Sequence, residues 1–155
     1  MPPHRKQLDT RDRESRVFTP PINIANAVVI KNDDVFFLAE HGGAVPMSNE
    51  DGFGLYYQDC RYLRGYEIQM AGTRPNVLAS NSDQGSMAWF ELTNVKLDFK
   101  SGRIIPAQMF GISLERLVDS ESVAVHDTLI VTKYDAETQE LRLSFWMQAG
   151  FEDVF

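Results

Sequence analysis

The side chains that most often bind metals or carry catalysis are few in this chain and lie far apart. The three histidines have no cysteine near them at the spacing of metal ligands: His4, His41 and His126. A zinc site needs about four well-placed ligands. The chain also has no Walker-type phosphate loop and no complete dinucleotide fingerprint. We therefore expect no metal and no other cofactor.

Cys60 is the only cysteine, which rules out an internal disulfide. The neighbouring Arg61 favours the thiolate form, whereas Asp59 on the other side opposes it. The sequence supplies no histidine partner at a fixed spacing. We therefore interpret Cys60 as a small buried hydrophobic residue and not as a nucleophile.

Adjacent carboxylates are the remaining candidates for acid–base chemistry. Glycosidases hold two such groups about 5–5.5 Å apart, or about 6.5–9.5 Å apart in the inverting class. Glu152 and Asp153 would point to opposite faces of a strand. Two further pairs lie in turns, where acids cap the backbone: Asp33–Asp34 and Glu50–Asp51. We interpret all three pairs as structural or solvated, and we expect the chain itself to be no enzyme.

Charge and hydropathy exclude several classes of partner. The net charge is −7, from 22 acidic and 15 basic residues, so the basic surface that nucleic-acid binding requires is missing. No apolar run approaches the ~20 residues that span a bilayer. The N-terminus has no apolar stretch after its charges, unlike a secretory signal. We expect a cytoplasmic protein with no nucleic-acid or membrane partner.

Almost all apolar residues alternate with polar ones, which is the period of β-strands. Residues 27–31 and 35–40 flank a turn and predict a hairpin. Residues 87–94 are apolar on both faces and predict an interior strand. Further strands with one apolar face are predicted over 62–70, 110–118 (with Arg116 as a charged exception), 123–131 and 141–147.

These strands are joined by short polar loops, which favour antiparallel pairing. The predicted fold is mainly β, an antiparallel two-sheet β-sandwich over residues 20–155. Residues 1–19 are polar and of mixed charge, and we predict a flexible N-terminal tail there. The chain is expected to leave the last sheet around Gly150.

The stretch GFGLYYQDCRYL, residues 52–63, is unusual in its aromatic and charged residues. Asp59 and Arg61 stand at positions i and i+2, the same face of a strand. We expect them to form a partly buried structural ion pair beside Tyr57 and Tyr62.

GLYYQDCRYL resembles the G-L-Y-x-x-D-T-R-x-L signature of the N-terminal domain of bacterial and archaeal glycogen debranching enzymes, the amylo-alpha-1,6-glucosidase-like family. Cys60 replaces the usual threonine. Leu92-Thr93-Asn94 and Leu114-Glu115-Arg116 resemble later strands of that domain, and residues 151–155 resemble its closing motif. The motif residues, which we expect to be structural, are Gly54, Leu55, Tyr56, Asp59, Arg61, Leu63, Glu115, Arg116, Phe151, Asp153 and Phe155.

The resemblance implies a β-sandwich accessory domain whose catalytic carboxylates lie in a separate helical domain, outside these 155 residues. It implies two partners, a catalytic glucosidase domain and an alpha-glucan. A glucan-binding surface needs exposed aromatic rings, and the candidate contacts are Tyr57, Tyr62, Trp89 and Trp146. The alternative is that these side chains are part of the hydrophobic core.

The alternative is a free-standing binding or assembly module without enzymatic activity. Leu141, Leu143, Phe145 and Met147 form one apolar face, which Phe151 and Phe155 continue. Without a catalytic domain to cover them, Phe151, Val154 and Phe155 would either fold back on the sandwich or pack against a second copy, and we expect a homodimer with twofold symmetry.

Overall fold

A computed structural model describes residues 27–47 and 52–153 of the chain. The predicted tail over 1–19, the first residues of the predicted domain, Glu50, Asp51, Val154 and Phe155 lie outside these ranges. The described residues form strands β1 (Ala27–Asn32), β2 (Val35–Glu40), β3 (Gly54–Tyr57), β4 (Cys60–Met70), β5 (Asn76–Ser82), β6 (Met87–Thr93), β7 (Leu97–Asp98), β8 (Ile104–Ile105), β9 (Phe110–Asp119), β10 (Ala124–Lys133) and β11 (Leu143–Asp153).

The strands build two main sheets and one small ribbon. The first sheet has the order β1-β2-β3-β4-β11 and the second the order β10-β9-β6-β5, while β7 pairs with β8. Each of these pairings is antiparallel. The prediction of an antiparallel two-sheet sandwich is confirmed. The described ranges contain no helix with the length and hydrophobicity that a membrane crossing requires.

Two-residue turns close the hairpin of β1 and β2 and the hairpin of β3 and β4. Asp33 and Asp34 connect β1 to β2, as the sequence predicts, with Asp33 at a φ of 50°. Gln58 and Asp59 connect β3 to β4, with φ values of 46° and 64°. Positive φ at both central residues is the mirror-image turn whose twist matches that of antiparallel strands.

The core lies between the two sheets and follows the predicted alternation. Strands β1 and β2 of the first sheet contact β9 of the second, and β1 also contacts β5 and β6. Every second side chain of β9 is buried, and these are Phe110, Ile112, Leu114, Arg116 and Val118. The charged exception in the pattern therefore points into the core with its apolar neighbours.

Two expectations about individual strands need correction. β6 is interior, between β5 and β9, but its outer face carries exposed Trp89 and Glu91, so only one face is buried. The chain does not leave the sheet at Gly150. β11 pairs Ala149 with Leu63, absorbs the next two residues as a bulge, and pairs again to Asp153. A bulge accepts extra residues while keeping the ladder on both sides.

Candidate functional site

The signature segment builds the hairpin of β3 and β4, and its glycine and tyrosine have structural roles. Gly54 has a φ of 145°, and a Cβ there would collide with the carbonyl oxygen of Leu63. Tyr56 is buried, its ring stacked 4.5 Å from that of Phe36, and its hydroxyl donates to the carbonyl of Gly52. These residues hold the backbone of the hairpin in place.

The expected ion pair between Asp59 and Arg61 was wrong. Asp59 is an exposed turn residue, because the strand ends at Tyr57 and the alternation of a strand does not run through it. Asp tolerates the left-handed conformation of this turn better than most residues do. Arg61 is half-buried, and its Nη1 donates to the carbonyl oxygen of Phe53 at 3.4 Å. Cys60 is half-buried with a free thiol.

The closing segment lies directly beside the signature hairpin, although about ninety residues separate them in sequence. Asp153 pairs with Cys60 and Glu152 with Arg61 in the register of β11 and β4. Phe151, at the bulge, has a φ of 61° and is 71% exposed. Its ring stands edge-on to Tyr62 at 5.8 Å, and Tyr62 lies 6.4 Å from Tyr57.

A buried cation forms the most tightly bonded cluster of the structure. Arg116 is 1% exposed and forms a two-bond ion pair with Asp127 of β10, Nε to Oδ1 at 2.8 Å and Nη2 to Oδ2 at 2.9 Å. Its Nη1 donates to the carbonyl oxygen of Gly43 at 2.7 Å. The hydroxyl of Tyr66 donates to Asp127 Oδ2 at 2.8 Å. A parallel arginine–carboxylate pair is among the strongest protein hydrogen-bond geometries.

Aromatic rings complete the cage around this guanidinium. Its central carbon lies 4.3, 5.0 and 5.5 Å from the ring centroids of Phe37, Tyr66 and Phe90. Cations are attracted to the faces of such rings. Burial and the neighbouring Asp127 carboxylate raise the pKa of Tyr66 well above its usual range, so this phenol stays protonated and keeps donating. We call Arg116, Asp127 and Tyr66 the buried triad.

Asp127 is the member of the triad that sequence reasoning missed. Residues 125, 127 and 129 share the more buried side of β10, so an acid stands at an inward position there. β9 carries an arginine at an inward position too, and the register places Asp127 opposite Arg116. Opposite charges at inward positions of consecutive strands were the signal that could have found this pair.

A row of exposed apolar side chains runs along β11, the edge strand of the first sheet. Phe145 and Met147 pair with Ile68 and Tyr66, both buried on the inner face. The second sheet leaves them uncovered, and Met147 is 66% exposed. Trp146, whose strand partner is Glu67, points to the opposite face and is 56% exposed. It lines a groove whose other residues are both apolar and polar, namely Met47, Glu67, Gln69, Met147 and Gln148. We call Phe145, Trp146, Met147 and Phe151 the β11 apolar surface.

The other tryptophan has a polar setting. Trp89 lies on the outer face of the second sheet and is 36% exposed. Its Nε1 donates to Glu115 Oε2 of the neighbouring strand at 3.1 Å. Two pairs further along these strands, on the same face, Ser113 donates to the carboxylate of Glu91 at 2.7–2.8 Å. Of the four candidate glucan contacts, Tyr57 and Tyr62 therefore lie together, while Trp146 and Trp89 lie on different sheets.

A cleft of about 200 Å³ opens at the edge of the sandwich. Arg74 lies at this cleft and bonds to two carboxylates, Glu40 at 3.0 Å and Glu67 at 3.5 Å. The two acids therefore share one cation at the rim of this cleft. In residues 27–47 and 52–153, no three His, Cys, Asp or Glu side chains lie close enough together to hold a metal ion.

Comparison with known proteins identifies the sequence at family level. A family model described as the N-terminal domain of (some) glycogen debranching enzymes matches residues 30–155. This match confirms the resemblance read from the motifs. Searches of the curated proteins and of the solved structures gave no match. The 155 residues contain this N-terminal domain and no catalytic domain.

Proposed function

Because the chain belongs to the family of glycogen debranching enzyme N-terminal domains, we propose that it is a non-catalytic accessory domain. It packs on a catalytic alpha-1,6-glucosidase domain through the β11 apolar surface and contributes to binding of the alpha-glucan. The observation that carries the proposal is the exposure of four large apolar side chains on one edge strand. The single cysteine, which allows no internal disulfide, supports a cytoplasmic location.

The physical argument starts from the cost of leaving these side chains in water. Burying a side chain such as Phe or Met fully is worth roughly 1.5–3 kcal/mol. Phe145 and Met147 are exposed on one face of β11, and Phe151 is exposed further along the same strand. Exposed apolar patches of this kind mark interaction surfaces. β11 also ends its sheet, so its outer backbone groups can pair with another strand.

The chemistry of the described residues supports a non-catalytic role. Glu40 and Glu67 share Arg74, and Asp127 is paired with Arg116. A glycosidase needs two carboxyl groups that face one bond, one of them able to donate a proton. Purified chain is therefore expected to release no glucose from glycogen or limit dextrin, and turnover that survives repurification would contradict this.

The docking surface is tested with the catalytic domain of a glycogen debranching enzyme produced as a separate chain. Calorimetry should show binding by this protein, weakened at least roughly tenfold by Met147→Asp, because a charge on the patch costs more than 1.4 kcal/mol. Ile130→Asp is the matched control. Ile130 is similarly exposed but lies on β10 of the other sheet, and its variant should bind like the parent.

The same samples test the alternative of a free-standing assembly module. Sedimentation at several concentrations measures self-association of the chain alone. A dimer abolished by Met147→Asp, with no binding to the catalytic domain, would replace the accessory-domain proposal by a homodimeric module. A monomer that binds no catalytic domain would overturn both uses of the β11 apolar surface.

A further inference from the structure

We propose that the outer face of the second sheet is an alpha-glucan-binding platform centred on Trp89. This inference rests on the proposed function, which makes an alpha-glucan the ligand. The platform consists of a row of four side chains and a second pair beside it, which are Asn81, Trp89, Glu115 and Thr128, then Glu91 and Ser113. The sheet register places them together, and the face is separate from the β11 apolar surface.

The geometry of the platform follows from strand pairing. Trp89 is paired with Asn81 of β5 on one side and with Glu115 of β9 on the other, and Glu115 with Thr128 of β10. Directly paired residues point to the same face of a sheet. Four strands about 4.8 Å apart give a row about 14 Å long, enough for a short oligosaccharide. Glu91 and Ser113 form the parallel row beside it.

The indole ring is held in position before any ligand arrives. Its Nε1 donates to Glu115 Oε2 at 3.1 Å, and 36% of the residue remains exposed. A ring that is already ordered loses less conformational freedom on binding. Glu115 Oε1 accepts no hydrogen bond from the described residues, so this oxygen is open to a hydroxyl group of a ligand.

The chemistry of the platform fits a neutral sugar. A pyranose ring has an apolar C–H face, which packs on an aromatic ring, and a rim of hydroxyl groups that donate and accept. Glu91 and Glu115 supply strong charged acceptors. Asn81 Nδ2 has no partner in the described part of the chain and supplies a donor. Two carboxylates beside the ring disfavour a phosphate or another anion.

The other three aromatic candidates have different neighbours from those of Trp89. The rings of Tyr57 and Tyr62 pack against each other, and Phe151 packs on Tyr62. The apolar neighbours of the two tyrosines match the proposed contact with a protein domain. Trp146 lines a groove with Met47 and Met147 and also with Glu67, Gln69 and Gln148, but no described residue accepts a hydrogen bond from its indole N–H to fix the ring. Trp89 has a hydrogen-bonded acceptor on one neighbouring strand, Glu115, and a donor on the other, Asn81.

The presence of only two tryptophans makes the site directly measurable. Trp146→Phe leaves Trp89 as the only indole, and Trp89→Phe leaves Trp146. Each full-length variant is titrated with maltoheptaose while its fluorescence is recorded, with a β-linked glucan oligosaccharide as the control ligand. A saturable change is expected in Trp146→Phe and none in Trp89→Phe.

Calorimetry supplies the second measurement, and it also detects binding that does not change the fluorescence. Trp89→Ala should weaken maltoheptaose binding at least tenfold, whereas Trp146→Ala should stay within twofold of the parent chain. Unchanged melting temperatures will show that both variants fold, since both side chains are exposed. Glu115→Ala should weaken binding as well, because it frees the ring and removes an acceptor.

Every other pattern overturns the platform. A response that persists in Trp89→Phe but vanishes in Trp146→Phe places the sugar on β11. No heat and no fluorescence change in any variant removes glucan binding altogether. Equal binding of the β-linked control ligand shows that the platform does not distinguish alpha-linked from β-linked glucans, which overturns the proposal of an alpha-glucan site. Docking to a catalytic domain is measured with Met147→Asp and involves no platform residue, so a failure of the platform and a failure of the docking proposal remain distinguishable.

Discussion

Removing the carboxylate of the buried triad should be among the most damaging single changes to this fold. In Asp127→Ala the guanidinium of Arg116 keeps its hydrogen bond to Gly43 and its aromatic neighbours but loses both bonds to a negative charge. Because the side chain of Arg116 is 1% exposed and that of Asp127 is 18% exposed, water reaches the guanidinium only through the space that the carboxylate leaves, and it does not supply the lost negative charge. The variant therefore leaves a buried cation uncompensated.

The size of the effect follows from the burial of the pair. Breaking a buried ion pair by removing one partner costs about 3–5 kcal/mol. Tyr66 also loses its acceptor, which adds about 1 kcal/mol. The two losses together amount to about 4–6 kcal/mol. For a chain of this length 1 kcal/mol corresponds to about 2–4 °C in melting temperature, so the expected fall is roughly 8–24 °C.

Thermal unfolding followed by circular dichroism measures this fall, and two variants calibrate it. Glu115→Ala changes the neighbouring exposed residue of β9 and should leave the melting temperature nearly unchanged. The double variant Arg116→Met/Asp127→Leu removes both charges and should recover part of the loss, since apolar replacement of a whole buried pair is often neutral. An Asp127→Ala protein that melts within 2 °C of the parent would refute the assignment of the triad to stability.

Three further changes follow from the structure. The raised pKa of Tyr66 predicts stability that is fully present below about pH 10 and falls as the pH rises further, because only the unfolded chain then releases this proton. Urea unfolding across pH 9–11 should show a shallower decline in Tyr66→Phe. Gly54→Ala should cost about 1–3 kcal/mol from its φ plus a collision with Leu63, and more than Gly72→Ala, which has a φ of 77° but open space. Asp59→Ala should cost about 1 kcal/mol or less, since Asp59 is an exposed turn residue; a larger loss of melting temperature would restore the ion-pair interpretation.

The strands and the two-sheet class were predictable because burial on one face leaves a period of two in the sequence. The inward set of β9, from Phe110 to Val118, is buried as that period indicates. The turn between β1 and β2 was predictable for a related reason, since a short polar gap between such runs, here residues 32–34, is typical of a hairpin. These signals are local, so they can be recognised in the sequence without knowing how the strands pair.

The errors arose where the period is interrupted. Extending strand alternation through Gln58 and Asp59 placed Asp59 on the same face as Arg61, whereas both turn residues have positive φ and end the strand. Gly150 resembled an exit from the sheet, but the bulge at Phe151 returns the chain to register. A turn or a bulge of one or two residues changes the face of all that follows, and sequence alone does not show where it lies.

The consecutive residues Glu115 and Arg116 show why the candidate sites required the structure. On a strand they point to opposite faces, so Arg116 lies in the core between the sheets and Glu115 on the outer surface. Arg116 pairs with Asp127 within its own sheet and donates to the carbonyl of Gly43, which follows β2 of the other sheet, while Glu115 holds the ring of Trp89 on the outside. Their effects should therefore separate, with loss of stability for changes at Arg116 and loss of glucan affinity at normal stability for changes at Glu115. The sequence shows that these residues are adjacent, but their partners lie on other strands, and only the register of β6, β9 and β10 brings those partners to them.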